Sequence, residues 1–212
     1  MALRKQIFAP GEYYHLYNRG TEKRKIFLHR KDYEYFLDLF YLCNSTKNIE
    51  KRDIGENFDR GKTLVDIGAY CLMPNHFHIL VKEKIEGGIS KFMLKVMTGY
   101  SMYFNKKYNR TGKLYEGVFK ATHASTDTYL KYLYSYIHLN PAKLLDKNWR
   151  DNIKTDKKKL LGFCLDYAYS SIREYRYQNF KITNPQSFPI YFKKFEEYKE
   201  ELVEWLNFNQ TN

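Results

Sequence analysis

The 212-residue sequence predicts an α+β domain built on a four-stranded antiparallel sheet, and three observations carry that expectation. Two strand-like runs near the middle are joined through a Pro-Asn turn. Stretches with apolar residues at three and four lie on either side of them. A short aromatic strand precedes everything else. Hydrophobic content of 43% and aromatic content of 18% support a folded chain with one full core.

The first strand is residues 13–18, YYHLYN, closed by Arg19 and Gly20, with His15 read as a satisfied structural histidine. Around Asp32 the pattern turns helical, since Tyr33, Phe36, Leu37, Phe40 and Tyr41 form one stripe. Residues 45–62 are polar and read as an exposed loop, suited to contact with a charged strand. Residues 64–73 form the second strand, Pro74-Asn75 the turn, and residues 76–83 the third strand. Gly87 and Gly88 break the chain before a helix from Ile89 to about Lys106. A turn at 110–113 leads into a fourth strand over 114–123. Ser125 or Thr126 caps a third helix, with Asp127 in its first turn, ending at Asn140 because Pro141 follows. The order βαββαβ plus a helix is that of a ferredoxin-like sheet, in which the first and third strands are central. Residues 1–145 are taken as the main domain. Residues 146–212 are taken as an extension packed on it, helical over 191–208 with an acidic band from Glu196 to Glu204.

Charge and cysteines bound the function. Lys plus Arg outnumber Asp plus Glu 36 to 24, a net charge of +12 that favours a polyanionic partner, most simply nucleic acid. An anionic membrane would call for a basic amphipathic helix, and none stands out. A basic surface serving only solubility is the third option. Cys43, Cys71 and Cys164 lack C-x-x-C spacing and read as buried thiols in a reducing compartment. No run is long enough to span a bilayer and the first ten residues hold no apolar signal region, so the expected location is the cytoplasm.

The candidate chemistry sits in YCLMPNHFHILVKE, residues 70–83. His76 and His78 fall two apart on a strand, on one face, with Cα atoms roughly 6.6 Å apart. Two imidazoles at that spacing either converge on one metal ion or form a polar strand face. Phe77 points the other way, into the core with Ile79 and Val81. On the third helix Tyr132, Tyr136 and Asn140 are spaced by four and share a face, while Tyr129, Leu130, Leu133 and Ile137 are assigned to the sheet side. His138 lies about 200° round the helix from Tyr136 and faces away. Asn140 can offer an amide oxygen to a metal, and Tyr136 a nucleophilic phenol beside it.

PNHFHILV followed by YSYIHLNPAK resembles the single-tyrosine HUH transposases, an IS200-like family, and in particular the REP-associated tyrosine transposases. YHLYNRG, GKLYEGVFKA and YAYSSIREY extend the resemblance over roughly residues 10–175. The resemblance implies a ferredoxin-like fold. It further implies a metal-dependent endonuclease and strand transferase acting on hairpin-bearing single-stranded DNA. His76, His78 and Asn140 would hold a divalent metal, usually Mg or Mn. Tyr136 would become a 5′-phosphotyrosine, leaving a free 3′-hydroxyl. Imidazole ligands also suit Zn. Arg19, Lys82, Arg110, Lys113 and Lys120 are assigned to DNA phosphates. Relatives act as monomers or as dimers that exchange the tyrosine helix, and the expected setting is a prokaryotic cytoplasm, at the nucleoid. The competing reading is a single-stranded nucleic-acid binding protein that derives from a transposase without its chemistry.

Overall fold

The computed structural model describes residues 7–47, 58–152 and 154–208. Four segments form one antiparallel sheet: β1 (Tyr13–Arg19), β2 (Val65–Met73), β3 (His76–Glu83) and β4 (Lys120–His123), in the order β2-β3-β1-β4. β1 and β3 are central, as the βαββαβ succession requires. Their register sets Tyr13 against Lys82, Tyr17 against His78 and Arg19 against His76. Because side chains alternate, Tyr14, Leu16, Phe77, Ile79 and Val81 enter one core, while Tyr13 and Leu80 join a second core on the opposite face.

β2 is buried along its whole length, and a register shift between Ile67 and Ala69 lets it serve both faces. Val65 and Ile67 enter the first core; past the irregularity at Gly68 that role passes to Tyr70 and Leu72. Ala69, Cys71 and Met73 then line the second core. A Cβ at Gly68 would come within 2.8 Å of the Phe188 ring and 2.9 Å of the Tyr134 hydroxyl, so the bulge has room only for glycine.

On the first face lie α1 (Arg30–Leu42) and α2 (Gly88–Lys107), which bury Phe36, Phe40, Phe92, Met93, Val96 and Tyr100. Asp32, fully buried at the start of α1, joins them. Its carboxylate accepts from the Leu28 and His29 amides, the Tyr103 and Tyr108 hydroxyls and the Lys107 ammonium. Burial alone would raise its pKa, but Lys107, Tyr108 and the two amides outweigh that and hold it at about 2. The folded pKa is below the unfolded value, so this stabilisation is present above about pH 4 and fades as pH falls towards 2. Asp32→Asn should therefore cost about 3 kcal/mol at pH 7, with the gap to wild type narrowing at pH 3. Urea unfolding at the two pH values measures it, and an equal gap at both would refute the assignment.

The second face carries α3 (Asp127–His138), α4 (Ala142–Leu145), α5 (Lys157–Asp166), α6 (Ile172–Tyr177) and α7 (Phe195–Asn207). The Thr126 hydroxyl accepts from the Tyr129 amide and caps α3, which buries Leu130, Leu133, Tyr134 and Ile137. Residues beyond 146 contribute Trp149, Leu160, Cys164, Ile172, Tyr198 and Leu202 to the same core. His138 fastens the assembly. Its Nδ1 bonds to the Tyr198 hydroxyl and its Nε2 lies 2.6 Å from Ser171 Oγ, which accepts from the Tyr70 amide at 2.8 Å. Burial pushes this imidazole down to about 3, so it stays neutral, and its bonds to Tyr198 and Ser171 turn it away from Tyr136.

Several sequence-based boundaries shift. The fourth strand shrinks to Lys120–His123, because residues 114–119 bury Leu114, Tyr115 and Phe119 without alternation and Gly117 takes φ +135°, a glycine conformation. α3 ends at His138 instead of Asn140, and α7 begins at Phe195, not residue 191. Tyr129 is half-buried against the second core, its ring 6.1 Å from that of Tyr132, and Tyr134, not among the residues assigned to that side, is buried there as well. Much of the polar stretch at 45–62, namely residues 48–57, lies outside the described residues, as do the first six positions.

Candidate metal and nucleophile site

His76 opens β3, immediately after the Pro74-Asn75 turn. Strand alternation puts both histidines on the face that carries α3, at the end of β3 next to the hairpin turn. Their ring centroids are 5.1 Å apart and their planes stand at 87°. His76 is half-buried, and its Nδ1 lies 2.6 Å from the Asn75 side-chain oxygen, which fixes the proton on Nδ1 and leaves Nε2 with a lone pair. His78 is buried, and its Nδ1 lies 2.9 Å from Nε2 of His15. The His78 Nε2 is thereby freed in the same way if its Nδ1 carries the shared proton.

α3 crosses above this pair. The Tyr136 ring lies 5.4 Å from the His78 ring and 5.7 Å from His15, edge-on to both. Tyr136 and the histidines belong to one chain. Asn140 sits in a turn just beyond α3, where its amide N lies 3.4 Å from the Ile137 carbonyl. Its side chain nevertheless folds back: Nδ2 donates to the Tyr136 carbonyl at 2.9 Å, while Oδ1 is buried without a hydrogen-bond partner. An orphaned buried oxygen costs free energy unless something satisfies it.

The electrostatics follow from burial. It pushes His15 and His76 down to about 4, with Lys143 adding to the effect on His76 and the Asn140 amide opposing it. His78 is pushed well below the ordinary imidazole range by burial, then by His15 and His76. All three rings are neutral at pH 7, the form that binds metals. The Tyr136 phenol is raised by burial and by Tyr132, and drawn back by Asn140 and Arg150.

Among the described residues no three His, Cys, Asp or Glu side chains gather as a metal site. The donors that do fit are two imidazole nitrogens and an amide oxygen: His76, His78 and Asn140. The orphaned Oδ1 is the observation in favour, and nitrogen-rich donors suit Mn or Zn better than Mg.

The basic residues divide. Arg19 stands directly across from His76 and pairs with Glu116. Lys120 is exposed and in register with Tyr17, which is itself in register with His78, so it flanks the site's row. Lys82 does not join them. It lies six residues along β3 from His76, about 20 Å away, over the Tyr13 ring. Arg110 leans on Phe104 and Asn105, and Lys113 is exposed in the loop that follows. A cavity of about 760 Å³ lies elsewhere again, at the other end of β2, lined by Arg60, Lys84 and Lys194 but by none of the site residues.

Sequence reasoning missed three contributors. His15 touches His78, which only the strand register reveals. Trp205 of α7 packs on Tyr132 with centroids 4.7 Å apart, and Tyr132 in turn lies 5.7 Å from Tyr136. Lys143 reaches 6.0 Å from the Tyr136 ring, one turn after Asn140 in a segment that the sequence left unassigned.

A family model described as "Transposase IS200 like" matches residues 12–140, well over half of the chain. No curated protein sequence matches. Among solved structures, 11 chains match. One is described as "Structure of the REP associates tyrosine transposase bound to a REP hairpin", with a TM-score of 0.52 and 14% identity over 91% of each chain.

Proposed function

The chain belongs to the IS200-like transposase family, and from that premise we propose that it is a metal-dependent endonuclease and strand transferase for hairpin-bearing single-stranded DNA, with Tyr136 as nucleophile. The observation that carries this reading is the single face shared by His76, His78 and Tyr136, with the unpaired Asn140 oxygen beside them. The hairpin-bound solved structure, alike in fold, supports the choice of DNA, and the net charge of +12 suits it.

A divalent metal at His76, His78 and Asn140 would neutralise charge on the scissile phosphate. The protein's own residues do the rest. Asn75 and His15 orient the two imidazoles, and α3 holds the phenol above them. The Tyr136 oxygen forms a bond to phosphorus, the bond from phosphorus to the 3′ oxygen breaks, and the phenol's proton leaves as the 3′ oxygen gains one. One phosphodiester replaces another, so the strand can later be resealed to a different end. Since nucleophile and histidines lie in one chain, a monomer is sufficient. A DNA substrate would place this work at the nucleoid of a prokaryotic cytoplasm; no helix of the described residues is long and apolar enough to cross a membrane.

The test is a labelled hairpin oligonucleotide incubated with the protein and Mn. A covalent protein–DNA band should form, vanish with a chelator and return with Mn. DNA binding without any such band would favour the non-catalytic reading. His15→Phe, which keeps a ring but removes the nitrogen facing His78, should weaken Mn binding about 10- to 100-fold while leaving the circular dichroism unchanged. Affinity within twofold of wild type would show that His15 only fills space.

A further inference from the structure

We propose that Lys143 is a catalytic residue, its ammonium binding the non-bridging oxygens of the phosphate that Tyr136 attacks; the proposal rests on the function given above. Lys143 belongs to α4, which starts directly after Pro141 and so swings its first turn back toward the end of α3. The Lys143 Nζ lies 6.0 Å from the Tyr136 ring, and the side chain is half-buried. No described residue forms an ion pair or side-chain hydrogen bond with that ammonium. The nearest acid in sequence, Asp146, is engaged by Thr155, Asn148 and Asn152. Among the described residues Arg150, stacked on Trp149, also has no acidic partner, and its charge is felt at Tyr132, Tyr136 and Lys143.

Two cations that face a phenol and a pair of neutral imidazoles, without an anion among them, repel one another and lower the stability of the fold. Burial, and then Arg150, push the Lys143 ammonium down from its ordinary value. A phosphate between Lys143 and the imidazoles relieves it. In the attack on phosphorus, negative charge gathers on the two non-bridging oxygens before the 3′ oxygen departs with its proton. A cation already in place on that side stabilises the charge without reorganisation. Lys143 therefore complements the histidines from across the phosphate: it comes from the helix side of the site, they come from the sheet.

Lys143→Gln and Lys143→Arg test this in the full chain, with a hairpin oligonucleotide and Mn in single-turnover reactions. The Gln variant should form the Tyr136 adduct about 100-fold more slowly. The Arg variant should recover at least a tenth of the wild-type rate. Mn affinity, read by electron paramagnetic resonance, should stay the same or tighten in Lys143→Gln, since a like charge has been removed. A merely structural lysine would instead lose Mn affinity and melting temperature together with the rate. An adduct rate in Lys143→Gln within threefold of wild type, or parallel loss of Mn binding, overturns the proposal while leaving Tyr136 chemistry standing. If wild type itself forms no adduct, the proposed function fails first and this inference falls with it.

Discussion

Tyr136→Phe will fold, bind hairpin DNA and form no covalent adduct. The substitution removes one oxygen from a half-buried ring whose edge-on contacts with His78 and His15 are otherwise kept. Asn140 is held by the Tyr136 backbone carbonyl, which the substitution keeps. Stability should thus change by less than about 1 kcal/mol. The rate should fall at least about 10,000-fold, the scale expected when a covalent nucleophile is deleted. Gel analysis of the labelled adduct reads the loss, and binding to the hairpin should remain within a few-fold of wild type. An undiminished adduct would mean that another tyrosine attacks. Tyr132 is the nearest on the same helix face, so Tyr132→Phe is the matching control.

The second large effect is expected from His78→Ala. Burial leaves this ring neutral and His15 fixes its orientation, so it is the better positioned of the two imidazoles. Its loss would remove one of the proposed metal ligands and leave His15 without its partner. Metal-centred stabilisation of a phosphoryl transition state is worth several kcal/mol, so adduct formation should drop roughly 1,000-fold. Mn binding should fall in parallel, and raising Mn should recover part of the rate. His76→Ala should act in the same direction. A variant that keeps full Mn affinity would place the metal elsewhere.

Much of this site was legible in the sequence because strand alternation is strict. Once residues 76–83 are a strand, His76 and His78 must share a face, and Phe77 must enter the opposite core, as it does. Helical spacing likewise set Tyr132 and Tyr136 on one side of α3. What stayed hidden depends on register and on irregular chain. His15 has the parity of Tyr17, but only the pairing of Tyr17 with His78 brings it to the site. Lys82 has the right charge and the wrong end of the strand. Asn140 leaves the helix early yet keeps its place, because its side chain bonds back to the carbonyl one turn before. Lys143 and Arg150 lie past Pro141, where no period marks the chain and only tertiary packing decides direction.

The link between His138, Tyr198 and Ser171, together with the contact of Trp205 on Tyr132, has an outcome for how the protein is made. Synthesis runs from the amino end, so the histidine strand and the tyrosine helix emerge well before the segment that braces them. Until Tyr198 and Trp205 leave the ribosome, α3 lacks its outer support and the phenol has no fixed station. A nascent chain therefore has an unbraced centre until the segment carrying Tyr198 and Trp205 has been translated.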